Sequence, residues 1–182
     1  MSRTFSIGGI HPSDNKISVN AAIENFPLME MAYISLSQHL GAPAEPVVAK
    51  GDKVKTGQLI AKANGFISAN VHSSVSGTVT SIELLPDLAG NPVQHIVIKV
   101  EGDDWVENIN RSKEIDREIK MSGPEILAKI AECGIVGLGG AAFPTHIKLS
   151  PPPGKKAEYL IINGAECEPY LTSDYRIMLE QP

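Results

Sequence analysis

The sequence has little of what marks several common classes of protein. Its cysteines, Cys133 and Cys167, lie far apart, with no Cys-x-x-Cys and no nearby histidine pair. That excludes a disulfide scaffold and supplies no zinc or iron–sulfur ligand set. A reducing cytoplasm is the natural compartment. Basic excess is missing too: 16 lysines and arginines face 21 acidic residues, for a net charge of -5, so no nucleic-acid partner is expected. The opening "MSRTFSIGGIHPSDNK" lacks the apolar centre of a signal peptide. No run approaches the roughly 20 apolar residues of a spanning helix, so a soluble chain is expected, one free to dock on a membrane protein. No Gly-x-Ser-x-Gly suggests a hydrolase, and His11, His39, His72, His95 and His146 show no metal-ligand spacing.

What is present reads as two domains, since 182 residues suffice for one large or two small ones. After an N-terminal extended segment (1–30), residues 31–103 read as short strands: "AYISLS", "PVVA", "GQLIAKA", "VSGTVTSIEL" and "HIVIKV", separated by Gly, Pro, Asn and Asp. Gly51-Asp52 and Gly57 sit where tight turns favour residues tolerant of positive φ. The pattern resembles the barrel-sandwich hybrid of lipoyl- and biotinyl-type domains. A carrier of that type needs a lysine on the hairpin between its halves. Here no lysine occurs between Lys62 and Lys99, and "FISANVHSSVSG" fills that place, which favours a structural or docking domain over a carrier. Residues 104–121, including "ENINRSKEIDREIK", read as a linker or solvated helix, with Trp105 as a packing anchor.

The periodicity then changes. In "SGPEILAKIAECG", Ser122 and Glu125 match a capping box, Pro124 suits an early turn, and Ile126, Leu127 and Ile130 form an apolar face. Gly134 suits a left-handed helix end. A glycine-rich loop, the segment "PTHIKLS" and a polyproline break lead to "AEYLIING", read as a buried strand. "TSDYRIMLE" reads as a helix capped by Thr172 or Ser173. This is the start of an α/β layer that ends in mid-pattern, so the chain is expected to be the N-terminal piece of a longer polypeptide.

Two constellations carry candidate chemistry. In "GIVGLGGAAFPTHIKL", glycines ahead of a helix start let backbone amides converge on an anion, with Pro144 opening the helix and Lys148 about one turn on. The alternative is a tight packing turn. In "INGAECEPYLTSDYR", Asn163, Glu166 and Glu168 follow the expected strand at the carboxyl end, where α/β folds bind ligands. Taken singly, these acids read as solvated loop residues.

Together with "GGIHPSDNK", "LSQHLGAPAEPVV", "GDKVKTGQ" and "VHSSVSGTV", these stretches resemble the RnfC (RsxC) family, the C subunits of the Rnf electron-transport complex. The second domain (122–182) is similar to the flavin-binding subunit of respiratory complex I. The resemblance implies a barrel-sandwich hybrid followed by the truncated start of an α/β FMN- and NAD(H)-binding domain. It implies that Gly137, Gly139 and Gly140 approach the flavin phosphate and Lys148 the flavin. Asn163 and Glu166 would lie near the isoalloxazine, and Glu168 towards the nicotinamide nucleotide. The implied reaction is hydride exchange between NAD(H) and FMN, with 4Fe–4S clusters in a region absent here. The implied partners are the other Rnf subunits, and the implied place is the cytoplasmic face of the bacterial inner membrane. A non-catalytic docking module is the alternative. Three departures stand out: Leu138 replaces an arginine of the complex I loop, Ala142 the usual glycine, and Ala165 an aspartate.

Overall fold

A computed structural model describes residues 12–112, 114 and 117–181. Gly8, Gly9 and His11, and Lys113, Ile115 and Asp116 of the expected linker, lie outside the described residues. The chain forms two units, one running from Leu28 to Lys156 and the other joining the described residues up to Pro27 to those from Ala157 onward.

The larger unit is built on β7 (Pro92–Val100), which pairs antiparallel with β1 (Met31–Ser35) on one side and β6 (Gly77–Pro86) on the other. β3 (Lys53–Val54) extends the sheet to the order β1-β7-β6-β3. The "HIVIKV" run needs a central position, because Ile96, Val97 and Ile98 are all buried and a central strand leaves neither backbone edge to water. Along β6 the register shifts between Val79 and Ser81, a bulge that bends the long strand around the core. A second sheet, β2 (Glu45–Pro46), β4 (Leu59–Lys62) and β5 (Val71–His72), faces the first. Ile34, Leu36, Val54, Ile60, Val71, Val79, Ile96 and Ile98 fill the space between, the arrangement expected of a barrel-sandwich hybrid.

The start of the expected linker, residues 104–111, is strapped to this domain. Thr56 donates its amide to Asp104 O at 2.8 Å and accepts from Val106 N at 3.1 Å. Gly57, at φ +83°, takes a left-handed conformation that favours glycine, and the Ile109 side chain packs against it. Trp105 lies under the Arg111 guanidinium at 4.4 Å.

Helix α1 (Gly123–Glu132) forms as its sequence predicts. Glu125 accepts both the backbone amide and the hydroxyl of Ser122, at 2.7 and 2.6 Å, and these bonds hold its carboxyl below the usual range. At the other end Gly134 takes φ +65°. There Ile135 N bonds Ile130 O (3.2 Å) and Gly134 N bonds Ala131 O (3.1 Å), the paired bonds of a Schellman motif.

The smaller unit contains α3 (Ser173–Glu180). Beside it runs the N-terminal segment, where Ser18 and Thr172 share a hydroxyl hydrogen bond of 2.8 Å and Glu180 accepts the Ile23 amide at 3.0 Å. Two expectations change here. The "AEYLIING" stretch is not a buried strand. It has no regular structure and is exposed, with Ile161 86% accessible. A strand needs a partner for its backbone and cover for its faces, and the described residues of this unit include no other strand. Thr172 does precede α3, but its side chain caps nothing, being engaged with Ser18. The helix takes its cap from Glu166 instead, whose carboxylate accepts the Tyr175 amide at 3.1 Å.

Truncating Ile98 to alanine should cost about 2–5 kcal/mol in urea denaturation, because the site is fully buried on the central strand. The same truncation at the exposed Leu88 should stay within about 0.5 kcal/mol.

Candidate functional site

The glycine-rich loop is a closed hairpin. Gly137 N donates to Phe143 O and Thr145 N to Ile135 O, each at 3.0 Å, and Val136 bridges antiparallel to Pro144. Above this neck, Leu138, Gly139, Gly140 and Ala141 are exposed. Their amides find no hydrogen-bond partner among the described residues. Four neighbouring donors without acceptors on an exposed loop are what an oxyanion requires.

Lys148 completes the arrangement. It ends the single-turn helix α2 (Thr145–Lys148), and its Nζ returns to Gly137. A Cβ on Gly137 would occupy the ammonium's place. Gly137 therefore differs from Gly139 and Gly140 in having no free amide. Its amide is committed to the neck, and its contribution is the missing side chain that admits the lysine. Pro144, with φ -57° and ψ 124°, stands just before α2 instead of inside its first turn. The helix is too short to contribute a dipole, which leaves the loop amides and Lys148 as the donors available to an anion. Ala142 takes φ +48°, the left-handed region. This explains why glycine is usual there, and alanine in that conformation costs about 1–2 kcal/mol.

Asn163, Glu166 and Glu168 belong to the other unit. Asn163 Oδ1 accepts the Ala165 amide at 3.0 Å, a local turn that leaves its side-chain donors to solvent. Glu166 is engaged in capping α3, whereas the Glu168 carboxylate has no partner among the described residues. The structure thus brings Gly137 and Lys148 into contact and places Gly139 and Gly140 on the same loop.

Sequence reasoning missed the residues that hold this loop to the β-domain. Asn70, just before β5, donates from Nδ2 to Glu132 O at 3.0 Å and to Ala131 O at 3.4 Å, and Leu40 N donates to Ala142 O at 3.3 Å. The one sequence signal near them was the absent hairpin lysine. A cavity of about 200 Å³ lies at this contact, with Asn70, His72, Cys133 and Gly134 in its wall. Burial pushes the His72 imidazole below its ordinary 6.5, against a smaller upward pull from the Glu132 carboxylate. Both cysteines are free thiols. Among the described residues no helix is long and apolar enough to cross a membrane.

Fold and site together define a class: a barrel-sandwich β-domain carrying a helix and an exposed glycine-rich loop. Residues 4–103 match the family model of the RnfC barrel sandwich hybrid domain. The chain belongs to that family. Residues 130–182 match the Nuo51 FMN-binding domain. The chain is 51% identical over 175 residues to the C subunit of the proton-translocating ferredoxin:NAD(+) oxidoreductase complex of Clostridium ljungdahlii, covering 95% of this chain and 38% of that one. It is 44% identical over 182 residues to the Na(+)-translocating counterpart of Acetobacterium woodii, covering 96% and 39%. It is also 44% identical over 188 residues to the C subunit of the ion-translocating oxidoreductase complex of Rhodobacter capsulatus, covering 98% and 35%. The chain therefore spans between a third and two-fifths of the length of these relatives.

Because His72 binds its proton less tightly folded than unfolded, its neutral form supports stability fully above about pH 6.5. That support declines as pH falls, until the folded imidazole also protonates. Denaturation midpoints between about pH 5 and pH 8 should drop on acidification, and His72→Gln should remove this part of the slope.

Proposed function

We propose that the protein acts as the C subunit of an ion-translocating NAD(H):ferredoxin oxidoreductase complex, and that its glycine-rich loop with Lys148 holds the phosphate of FMN. The observation that carries this reading is the row of unpartnered amides from Leu138 to Ala141, with the Lys148 ammonium packed against the adjoining Gly137. The fit is chemical as well as geometric: amides and an ammonium all donate, and a phosphate monoester only accepts near neutral pH. The Nuo51 match over the same residues and the names of the relatives support the assignment.

FMN, when bound, supplies two-electron exchange with NAD(H) and onward one-electron transfer. The chain's own residues bind and orient. Gly139 and Gly140 expose donors without Cβ atoms in the way, and Gly137 makes room for the lysine. In the other unit, we assign Asn163 to the flavin ring system through its uncommitted side-chain N–H groups. Glu166 is assigned to the same neighbourhood, where it also fixes the start of α3, and the unpartnered Glu168 to the nicotinamide nucleotide. The 4Fe–4S clusters belong to the remaining length of the subunit. The complex's other subunits are the partners, at the cytoplasmic face of the membrane.

Titration of the complete subunit with FMN and with riboflavin, which lacks the phosphate, tests the reading. Wild type should prefer FMN. Lys148→Ala should weaken FMN binding about tenfold, the loss of one charge-assisted hydrogen bond, with little effect on riboflavin. A wild type indifferent to the phosphate, or a variant that binds FMN normally, would contradict the assignment.

A further inference from the structure

We infer that the β4–β5 hairpin, residues 63–70, is a clamp that sets the geometry of the glycine-rich loop, and that Asn70 is a positioning residue for flavin binding. The inference rests on the flavin reading above and adds a role for the β-domain within it.

Asn70 uses its whole amide. Its Oδ1 accepts the Ala63 amide at 2.9 Å, closing the hairpin on itself. Its Nδ2 donates to Glu132 O and Ala131 O, carbonyls at the helix end that have few partners within α1. Directly after them, Gly134 lies against the Asn70 backbone, and a Cβ there would strike the Asn70 carbonyl oxygen. The entry to the loop is thus fixed by a side chain and by a backbone contact that tolerates no extra atom. Leu40 fixes the far side of the loop through its amide bond to the Ala142 carbonyl. Ala142 is the residue held in the left-handed region, so this anchor sits at the bend that turns the loop back to its neck.

The two anchors are parts of one cross-tied patch. The Ala69 amide donates to His39 Nε2 at 3.0 Å, and the same ring nitrogen lies 3.1 Å from Ser68 Oγ and 3.0 Å from Ala42 O. Ser68 Oγ donates to Ala42 O at 2.9 Å and accepts the Asn64 amide at 3.0 Å. Ala42 N donates to Ile67 O at 3.0 Å. His39 and Ser68 are themselves buried. A hairpin tied down in this way does not suit a swinging arm, but it suits a rigid support. With Asn70 at the loop's start and Leu40 at its return, the support dictates where the Leu138–Ala141 amides point.

A simple helix cap would stabilise α1 and no more, whereas a clamp changes how well the loop meets a phosphate. The complete subunit is therefore titrated with FMN and riboflavin as wild type, Asn70→Ala and Asn70→Asp, at a temperature where melting of the apo proteins shows each to be folded. Asn70→Asp retains the bond to Ala63 but turns a carboxylate towards two carbonyls. Both variants should bind FMN about tenfold more weakly and lose much of the preference for FMN over riboflavin. Gly134→Ala, which displaces the backbone contact while leaving the Asn70 amide group in place, should show the same loss and decides the matter if the Asn70 variants fail to fold. Folded variants with wild-type FMN affinity, or an equal loss for both flavins, would overturn the clamp and leave the flavin reading intact. A wild type with no preference for FMN would overturn both.

Discussion

Two backbone hydrogen bonds, Gly137 N to Phe143 O and Thr145 N to Ile135 O, close the neck of the glycine-rich loop, and the candidate site depends on them. With the neck closed, the chain between has too few residues to satisfy its own amides, and those from Leu138 to Ala141 are left facing outward. The same closure brings α2 back beneath the loop, so that Lys148 reaches Gly137. Donors accumulate because the backbone accounting is left open at one point and complete on either side of it. An exposed loop tolerates this through hydration, and an anion that replaces the water gains several donors whose positions are already set.

That preorganisation is borrowed from the β-domain. The loop itself is rich in glycine and carries one left-handed alanine, so it has little intrinsic preference for a single shape. The order comes from α1, closed by its Schellman turn, and from the Asn70 and Leu40 contacts. The domain that resembles a cofactor carrier therefore contributes support where a carrier would present a lysine. The core between the sheets, with Ile60, Ile96 and Ile98 fully buried, makes that support rigid.

Much of this was legible in the sequence where the cause is local. Alternation and β-branching marked β6 and β7, Ser122 with Glu125 marked the start of α1, and Gly134 marked its end. The family resemblance rested on contiguous motifs and matches both family models. The readings that failed depend on partners distant in the chain. "LIIN" looked buried because it is apolar, yet burial is set by what else packs there, and Tyr159–Ile162 is exposed. Glu166 keeps its place among the candidate ligand residues, but the cap it gives α3, through an amide nine positions later in the chain, was invisible. That the Gly137 amide is already taken was equally invisible, since a donor's availability depends on the cross-loop pairing with Phe143. Asn70 gave no signal, as its partners lie some sixty residues away.

The central claim is that the exposed amides of residues 138–141 meet the flavin's phosphate. Amide hydrogen exchange across the complete subunit, with FMN or riboflavin added, tests it most directly. The account predicts that Gly137 is slow before any ligand, and that Leu138, Gly139, Gly140 and Ala141 exchange fast and become protected by FMN but not by riboflavin. Protection that arises elsewhere on FMN binding, with these four amides unchanged, would contradict it.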